Sequence, residues 1–173
     1  MPIIIDTNCI ANVFSSKSKK HSDFEPVLKW IIKGKGIMLY GGSKYRKELA
    51  STPKYLPIIR LLKEVGKAIE GNKDKIDQCQ EKIEKLINDD DFDDPHIPAI
   101  CIVTKSILIC SEDTRSIPFV TDNRYYPKGF ITPVYYTSIK NKNILSDKYI
   151  DKSLKPLCKL NKLDKNRIER ILK

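Results

Sequence analysis

Pro2-Ile3-Ile4-Ile5-Asp6-Thr7-Asn8 is the stretch on which the fold of this chain turns. An uninterrupted β-branched run reads as a strand buried on both faces, the signature of a parallel sheet and not of an alternating, half-solvated one. The polar triplet Asp6-Thr7-Asn8 then falls at the strand's carboxyl end. In open α/β sheets ligands bind at that edge, so an acid placed there points to chemistry more strongly than one on a helix flank.

Working outward, Cys9 to Phe14 reads as a short helical turn. Phe24, Val27, Leu28, Ile31 and Ile32 recur at helical spacing until Gly34 and Gly36 stop the pattern. Ile37-Met38-Leu39-Tyr40 repeats the character of the first strand, and Gly41-Gly42 closes it. Ser43 is expected to cap the next helix, where Tyr45 and Leu49 share a face. From Ile58 to Ile87 the apolar positions step by threes and fours and fail once, at Gly71-Asn72. That predicts two antiparallel helices joined by a tight turn, with one long helix as the alternative. Such a hairpin either packs on its own domain or offers a face to a partner, a second copy of the chain included. Pro95 opens a further helix, Ile107 to Cys110 reads as a third strand, and Pro118-Phe119-Val120 as a fourth. Strands alternating with helices predict an α/β fold whose parallel sheet is covered on both faces.

The 173 residues suit one domain, and a domain of that size buries roughly 70% of its unfolded surface without disulfide support. Residues 1–140 carry the periodic pattern, and 141–173 read as a basic C-terminal extension, helical and docked. Leu154, Leu157, Leu160, Leu163, Ile168, Ile171 and Leu172 would touch the domain. From 140 to 173 there are eleven Lys and Arg against four acids, so this segment holds +7 of the total +10. A field of that sign suits a polyanion such as RNA, or an acidic protein partner, although lysine-rich composition alone also produces basic proteins. The five cysteines, Cys9, Cys79, Cys101, Cys110 and Cys158, form no Cys-x-x-Cys pair and lie in or beside apolar runs. They read as reduced, buried thiols of a cytoplasmic protein. Asp6 interrupts the first apolar stretch, which is no signal leader, and no run approaches the roughly 20 apolar residues of a membrane span.

Further acids stand where a site at the first strand's edge would need them. Ser111-Glu112-Asp113 follows the third strand as Asp6 follows the first, Asp94 precedes Pro95, and Glu48 lies one turn into the helix after Ser43. If Asp6, Glu48, Asp94 and Asp113 meet, they cannot all stay ionised unaided, because like charges in a partly dehydrated cleft raise one another's pKa. Oxygen-only ligation selects a hard cation, Mg²⁺ or Mn²⁺, as one ion or as a pair spanning a phosphodiester. No histidine or thiol is expected among these ligands, which argues against zinc. Each acid also has an ordinary structural reading: Asp94 as a helix N-cap, Glu48 as a solvated helix acid, Asp113 as an Asx-turn residue. Asp122 is a reserve candidate, and Thr121-Asp122-Asn123 reads equally well as a turn.

Taken in this order, Ile3 to Asn8, Tyr45-Arg46-Lys47-Glu48-Leu49, Asp94-Pro95-His96-Ile97-Pro98-Ala99 and Ile107 to Asp113 resemble the motifs of the PIN-domain nucleases over roughly residues 2 to 135. The resemblance implies a three-layer α/β/α sandwich with a mainly parallel sheet and Mg²⁺- or Mn²⁺-dependent cleavage of RNA. It also implies a role akin to that of the VapC-like toxins, which pair with an antitoxin protein. It assigns Asp6, Glu48, Asp94 and Asp113 to metal and catalysis, with Asn8 and Ser111 in support. The family's last motif carries a second acid and an aromatic soon after the first, where this chain has Asp113-Thr114-Arg115-Ser116.

Two classes of function compete. In an endoribonuclease the acids hold metal, and Lys44, Arg46, Lys47, Arg115 and Arg124 hold phosphates. In a noncatalytic RNA-binding or assembly protein the fold persists without full metal affinity, and the tyrosines at 125, 126, 135, 136 and 149 with Phe130 stack on bases or pack a sheet edge. A DNA nuclease would require more acids. A phosphotransferase using Asp6 as nucleophile would want a second acid where Asn8 stands.

Overall fold

The computed structural model describes residues 2–87, 89, 91–146 and 160–172. Its centre is a five-stranded, all-parallel sheet made of β1 (Pro2–Ile5), β2 (Ile37–Tyr40), β3 (Ala68–Glu70), β4 (Leu108–Cys110) and β5 (Val134–Tyr136), in the order β3-β2-β1-β4-β5. β1 pairs with β2 through Ile3↔Met38 and with β4 through Ile4↔Ile109. Ile3, Ile4 and Ile5 are completely buried, as a strand covered on both faces requires.

Helices flank the sheet: α1 (Ile10–Phe14), α2 (His21–Lys33), α3 (Ser43–Ala50), α4 (Leu56–Glu64), α5 (Lys73–Leu86), α6 (His96–Thr104), α7 (Ile117–Val120) and α8 (Lys162–Leu172). The chain steps from β1 to β2 to β3, then crosses to the far side of β1 for β4 and β5. Right-handed crossovers taken in opposite directions place their helices on opposite faces, which yields an α/β/α sandwich. The reversal falls between β1 and β4. Connections leaving the carboxyl ends of two such neighbouring strands run to opposite faces and leave a crevice, the ordinary ligand position of such sheets.

Three expectations from the sequence are corrected. The segment 58–87 is not a helical hairpin: α4 ends at Gly66, whose φ is +74°, and β3 runs from Ala68 to Glu70 before Asn72 caps α5 by accepting from the Lys75 amide. Ile69 fits the helical spacing by coincidence; it lies on the outermost strand and is 36% exposed. Pro118-Phe119-Val120 is the short helix α7 and not a strand. Proline has no N–H for a sheet ladder but is tolerated in a first helical turn, and the Thr121 hydroxyl bonds back to the Ile117 carbonyl. The edge strand beyond β4 is Val134–Tyr136.

Ser43 is the first residue of α3 and not its cap; Gly42 holds that position. The exposed amides of this helix are met from outside. Asp77, on α5, accepts from the Ser43 amide at 2.7 Å and from its hydroxyl at 2.6 Å. Tyr45, fully buried, donates its hydroxyl to the Ile5 carbonyl, which fastens α3 to the end of β1. On the other side of β2, buried Lys67 donates to the carbonyls of Gly34 (3.0 Å) and Gly36 (3.2 Å), where α2 ends and a cation is favoured.

In the basic C-terminal segment, α8 packs on α4 through buried Ile168, and Arg167 meets Glu64 at 2.8 Å. Leu154, Leu157, Tyr149, Cys158 and the lysines at 148, 152, 155 and 159 lie outside the described residues. No helix among the described residues is long and apolar enough to cross a membrane.

Gly42 adopts φ +80° and ψ 160°, a region open essentially to glycine, and a Cβ there would meet Ile76 Cγ2 at 2.6 Å. Gly42→Ala is therefore expected to lower stability by about 1–3 kcal/mol, measured as a shifted midpoint in urea unfolding.

Candidate metal centre

Asp6 ends β1, and its backbone amide donates across the sheet to the Cys110 carbonyl at 2.9 Å. The strand pairing thus continues one residue past β1 and draws the acid into the crevice beside β4. The side chain is 5% exposed. Its Oδ2 accepts from Ser111 Oγ at 2.7 Å and from Asn8 Nδ2 at 2.9 Å, while among the described residues Oδ1 accepts from the Asn8 amide alone, at 3.4 Å. Asn8 and Ser111 therefore orient Asp6. Burial raises its pKa, and these donors offset part of that rise.

Glu48 enters from α3, one turn beyond Tyr45, so the helix that is pinned to Ile5 also aims this carboxylate. Thr7 Oγ1 donates to Glu48 Oε2 at 2.8 Å. Its pKa is raised by burial first, with Asp6 and Asp93 adding and Lys44 opposing. The solvated-acid reading of Glu48 does not describe it. Asp94 precedes α6, where Pro95 is the cap residue and no side-chain cap bond is made. Its pKa is pushed up to about 7, by burial first and then by Asp6 and Asp93.

His96, the first residue of α6, completes the group. Its ring is fully buried, with Nε2 3.6 Å from Glu48 Oε2 and Nδ1 3.8 Å from Asp94 Oδ1. Both separations are too long for hydrogen bonds, and among the described residues neither nitrogen has a hydrogen-bond partner. Burial lowers the pKa of the ring to about 3, so it is neutral and the contacts are not ion pairs. The Tyr45 ring packs edge-on against it at 6.2 Å between centroids. One ligand atom each from Glu48, Asp94 and His96 lies within 4.8 Å of the others. The sequence reading placed no histidine here, and the structure sets the His96 ring beside Glu48 and Asp94. Asp6 stands beside this set and acts on it through charge.

Asp113 is placed differently. Its backbone amide donates to Ser111 Oγ at 3.1 Å, which ties the loop to the Asp6 network. Its carboxylate, however, receives Arg115 Nε and Nη2, both at 3.0 Å, and caps the short turn Thr114–Ser116. Arg115 holds it below the usual carboxylate range. Its Asx-turn reading is thus realised, and Arg115 is committed to it. Of the other expected phosphate-binding cations, Arg46 pairs with Glu70, and Arg124 with Asp122 at 2.6 Å. Lys44 donates to the Asp93 carbonyl and is the cation acting on Glu48, Asp94 and His96. Lys44 and exposed Lys47 line a groove of about 750 Å³ between α3 and α5, with Ser43, Glu48, Ser51 and Asp77. It opens directly onto Glu48.

The donor set fits a divalent cation: carboxylates raised in pKa, one nearby lysine, and a neutral imidazole without hydrogen bonds. Without such a cation Asp94 stays largely protonated below pH 7. Its folded pKa of about 7 lies above the unfolded value of about 3.9, so the folded state binds the extra proton between those limits. Stability then falls as pH rises through that window. In chelator, Asp94→Asn protein is expected to melt higher than wild type at pH 8 and equally at pH 4; thermal melts showing the same gap at both pH values would disprove the assignment. No protein-family model, curated protein or solved structure matches this chain.

Proposed function

We propose that the chain is a metal-dependent endoribonuclease that hydrolyses RNA phosphodiester bonds with Mg²⁺ or Mn²⁺. The observation that carries this reading is the gathering of Asp6, Glu48 and Asp94 at the carboxyl end of β1, each raised in pKa by burial first, with the Asp6 charge adding to the rise at Glu48 and Asp94. Arrays of that kind are poised for a hard cation. Glu48 and Asp94 are the residues to hold it, with Asp6 beside them. A divalent ion there supplies neutralisation of phosphate charge and Lewis-acid activation of water.

The chain's own groups do the rest. Asn8 and Ser111 occupy Asp6 Oδ2 and leave Oδ1, with its single long contact at 3.4 Å, to accept a proton from the attacking water. Lys44 and Lys47 hold the RNA backbone at the groove as point charges, and the +10 net charge draws the polyanion in. The toxin role implied by the resemblance belongs to this proposal, with an antitoxin as the protein partner.

The Arg115–Asp113 ion pair favours a second reading. With the fourth acid neutralised inside the chain, the fold could bind RNA without cutting it.

Incubation with single-stranded RNA and Mn²⁺ separates the two. Cleavage that stops in excess EDTA and in Asp6→Asn protein is the expected result; cleavage that persists in both overturns the nuclease. Salt-dependent RNA binding with no heat of Mn²⁺ binding would establish the second reading instead. Ser111→Ala, which removes an orienting donor and no metal ligand, is expected to weaken Mn²⁺ binding about 10–100-fold in calorimetry.

A further inference from the structure

We propose that His96 is itself a ligand of the divalent ion, which makes the centre a mixed oxygen and nitrogen site selective for first-row transition metals over Mg²⁺. This rests on the metal-centre reading above and adds what the acids alone do not provide.

The first argument is the state of the imidazole. A buried polar side chain normally has hydrogen-bond partners, and a neutral imidazole brings one N–H and one lone pair that need them. His96 is fully enclosed, yet neither ring nitrogen has a partner. If the position only filled core volume, an apolar side chain would do so without two unsatisfied nitrogens. A metal satisfies one nitrogen directly. The other, carrying the proton, then faces a carboxylate, the usual arrangement that orients a ligating histidine.

The second argument is spacing. Nε2 looks toward Glu48 and Nδ1 toward Asp94, at 3.6 and 3.8 Å. Metal bonds of about 2.0–2.2 Å to N and O put neighbouring ligand atoms roughly 3 to 4 Å apart. An imidazole gives one nitrogen to an ion, so one of these separations has the length of a ligand pair and the other divides the remaining ring nitrogen from a carboxylate; one ligand atom each from Glu48, Asp94 and His96 lies within 4.8 Å of the others. The third argument is rigidity: His96 begins α6, its neighbours Ile97, Pro98, Ala99 and Ile100 are all buried, and the Tyr45 ring lies against it. The ring is held in place without a hydrogen bond from the described residues.

The donor set determines the metal. Carboxylate and water suit Mg²⁺ and Mn²⁺, whereas imidazole strengthens binding of Mn²⁺ and of the later first-row ions relative to Mg²⁺. The chain has two histidines. The other, His21, has Nδ1 2.9 Å from the Asn12 carbonyl, so a nitrogen signal from bound metal can be assigned.

Pulsed electron paramagnetic resonance of Mn²⁺-loaded wild-type protein is expected to show ¹⁴N coupling from a directly bound imidazole, retained in His21→Gln and absent in His96→Phe. Calorimetry should show Mn²⁺ affinity falling at least about tenfold in His96→Phe with Mg²⁺ affinity little changed, so that the ratio between the two metals collapses. Mn²⁺ bound by wild-type protein without ¹⁴N coupling overturns the histidine ligand and leaves the acidic centre standing. Folded protein that binds no Mn²⁺ overturns both. Lower thermal stability of His96→Phe with an unchanged Mn²⁺ to Mg²⁺ ratio assigns the ring to packing alone and also overturns the inference. The spectrum of the wild-type protein decides the question even if His96→Phe fails to fold.

Discussion

The repulsion among carboxylates enclosed at one sheet edge is the constraint on which the rest of the structure depends. Asp6 is carried into the crevice by its own backbone pairing with Cys110, Glu48 by a helix riveted to Ile5 through Tyr45, and Asp94 by the start of α6. None of these placements is set by the carboxylates' own interactions. The scaffold holds the acids together against their mutual repulsion. Asn8, Ser111 and Thr7 relieve part of that strain by donating hydrogen bonds, and Lys44 relieves part by its charge. Proton affinity is raised all the same, by burial first and by the neighbouring charges second.

The scaffold can do this because the sheet core is indifferent to what happens at its rim. Three consecutive isoleucines with no exposed surface lock β1 between β2 and β4, and hydrophobic burial of that extent tolerates local electrostatic penalty nearby. The chain's reversal of direction at β1 supplies the opening. Sheet topology and site chemistry are therefore one problem, since the same β1–β4 pairing that closes the core also sets Asp6 at the sheet edge.

Much of this was legible in the linear sequence, and the failures have physical causes. The runs at 2–5, 37–40 and 107–110 are apolar without interruption, which only a doubly covered strand requires, so the centre of the sheet and the position of Asp6 followed from composition alone. β3 was hidden because Val65 and Ile69 happen to continue a helical period, and nothing local distinguishes three residues of edge strand from a helix turn. α7 was mistaken for a strand because apolar character outweighed Pro118. At the site, Asp113 was judged by its place after β4, but Arg115, two residues on, is near enough to claim its carboxylate. His96 was left out of the expected ligands, although it lies two residues from Asp94. What marks it out, a sealed ring with no polar neighbour in bonding range, is a property of packing that no spacing rule reveals.

The bond pair from Asp77 to Ser43 has one more consequence. It joins the two walls of the groove like a clasp, and the helix it steadies is the one that bears Glu48 five residues along. A guest that wedges α3 away from α5 must lengthen those two contacts, and a short helix tilts as a stiff lever instead of bending. The seating of a guest is thereby felt mechanically at the carboxylate, and occupancy of the cleft and alignment of the acidic edge become a single linked variable.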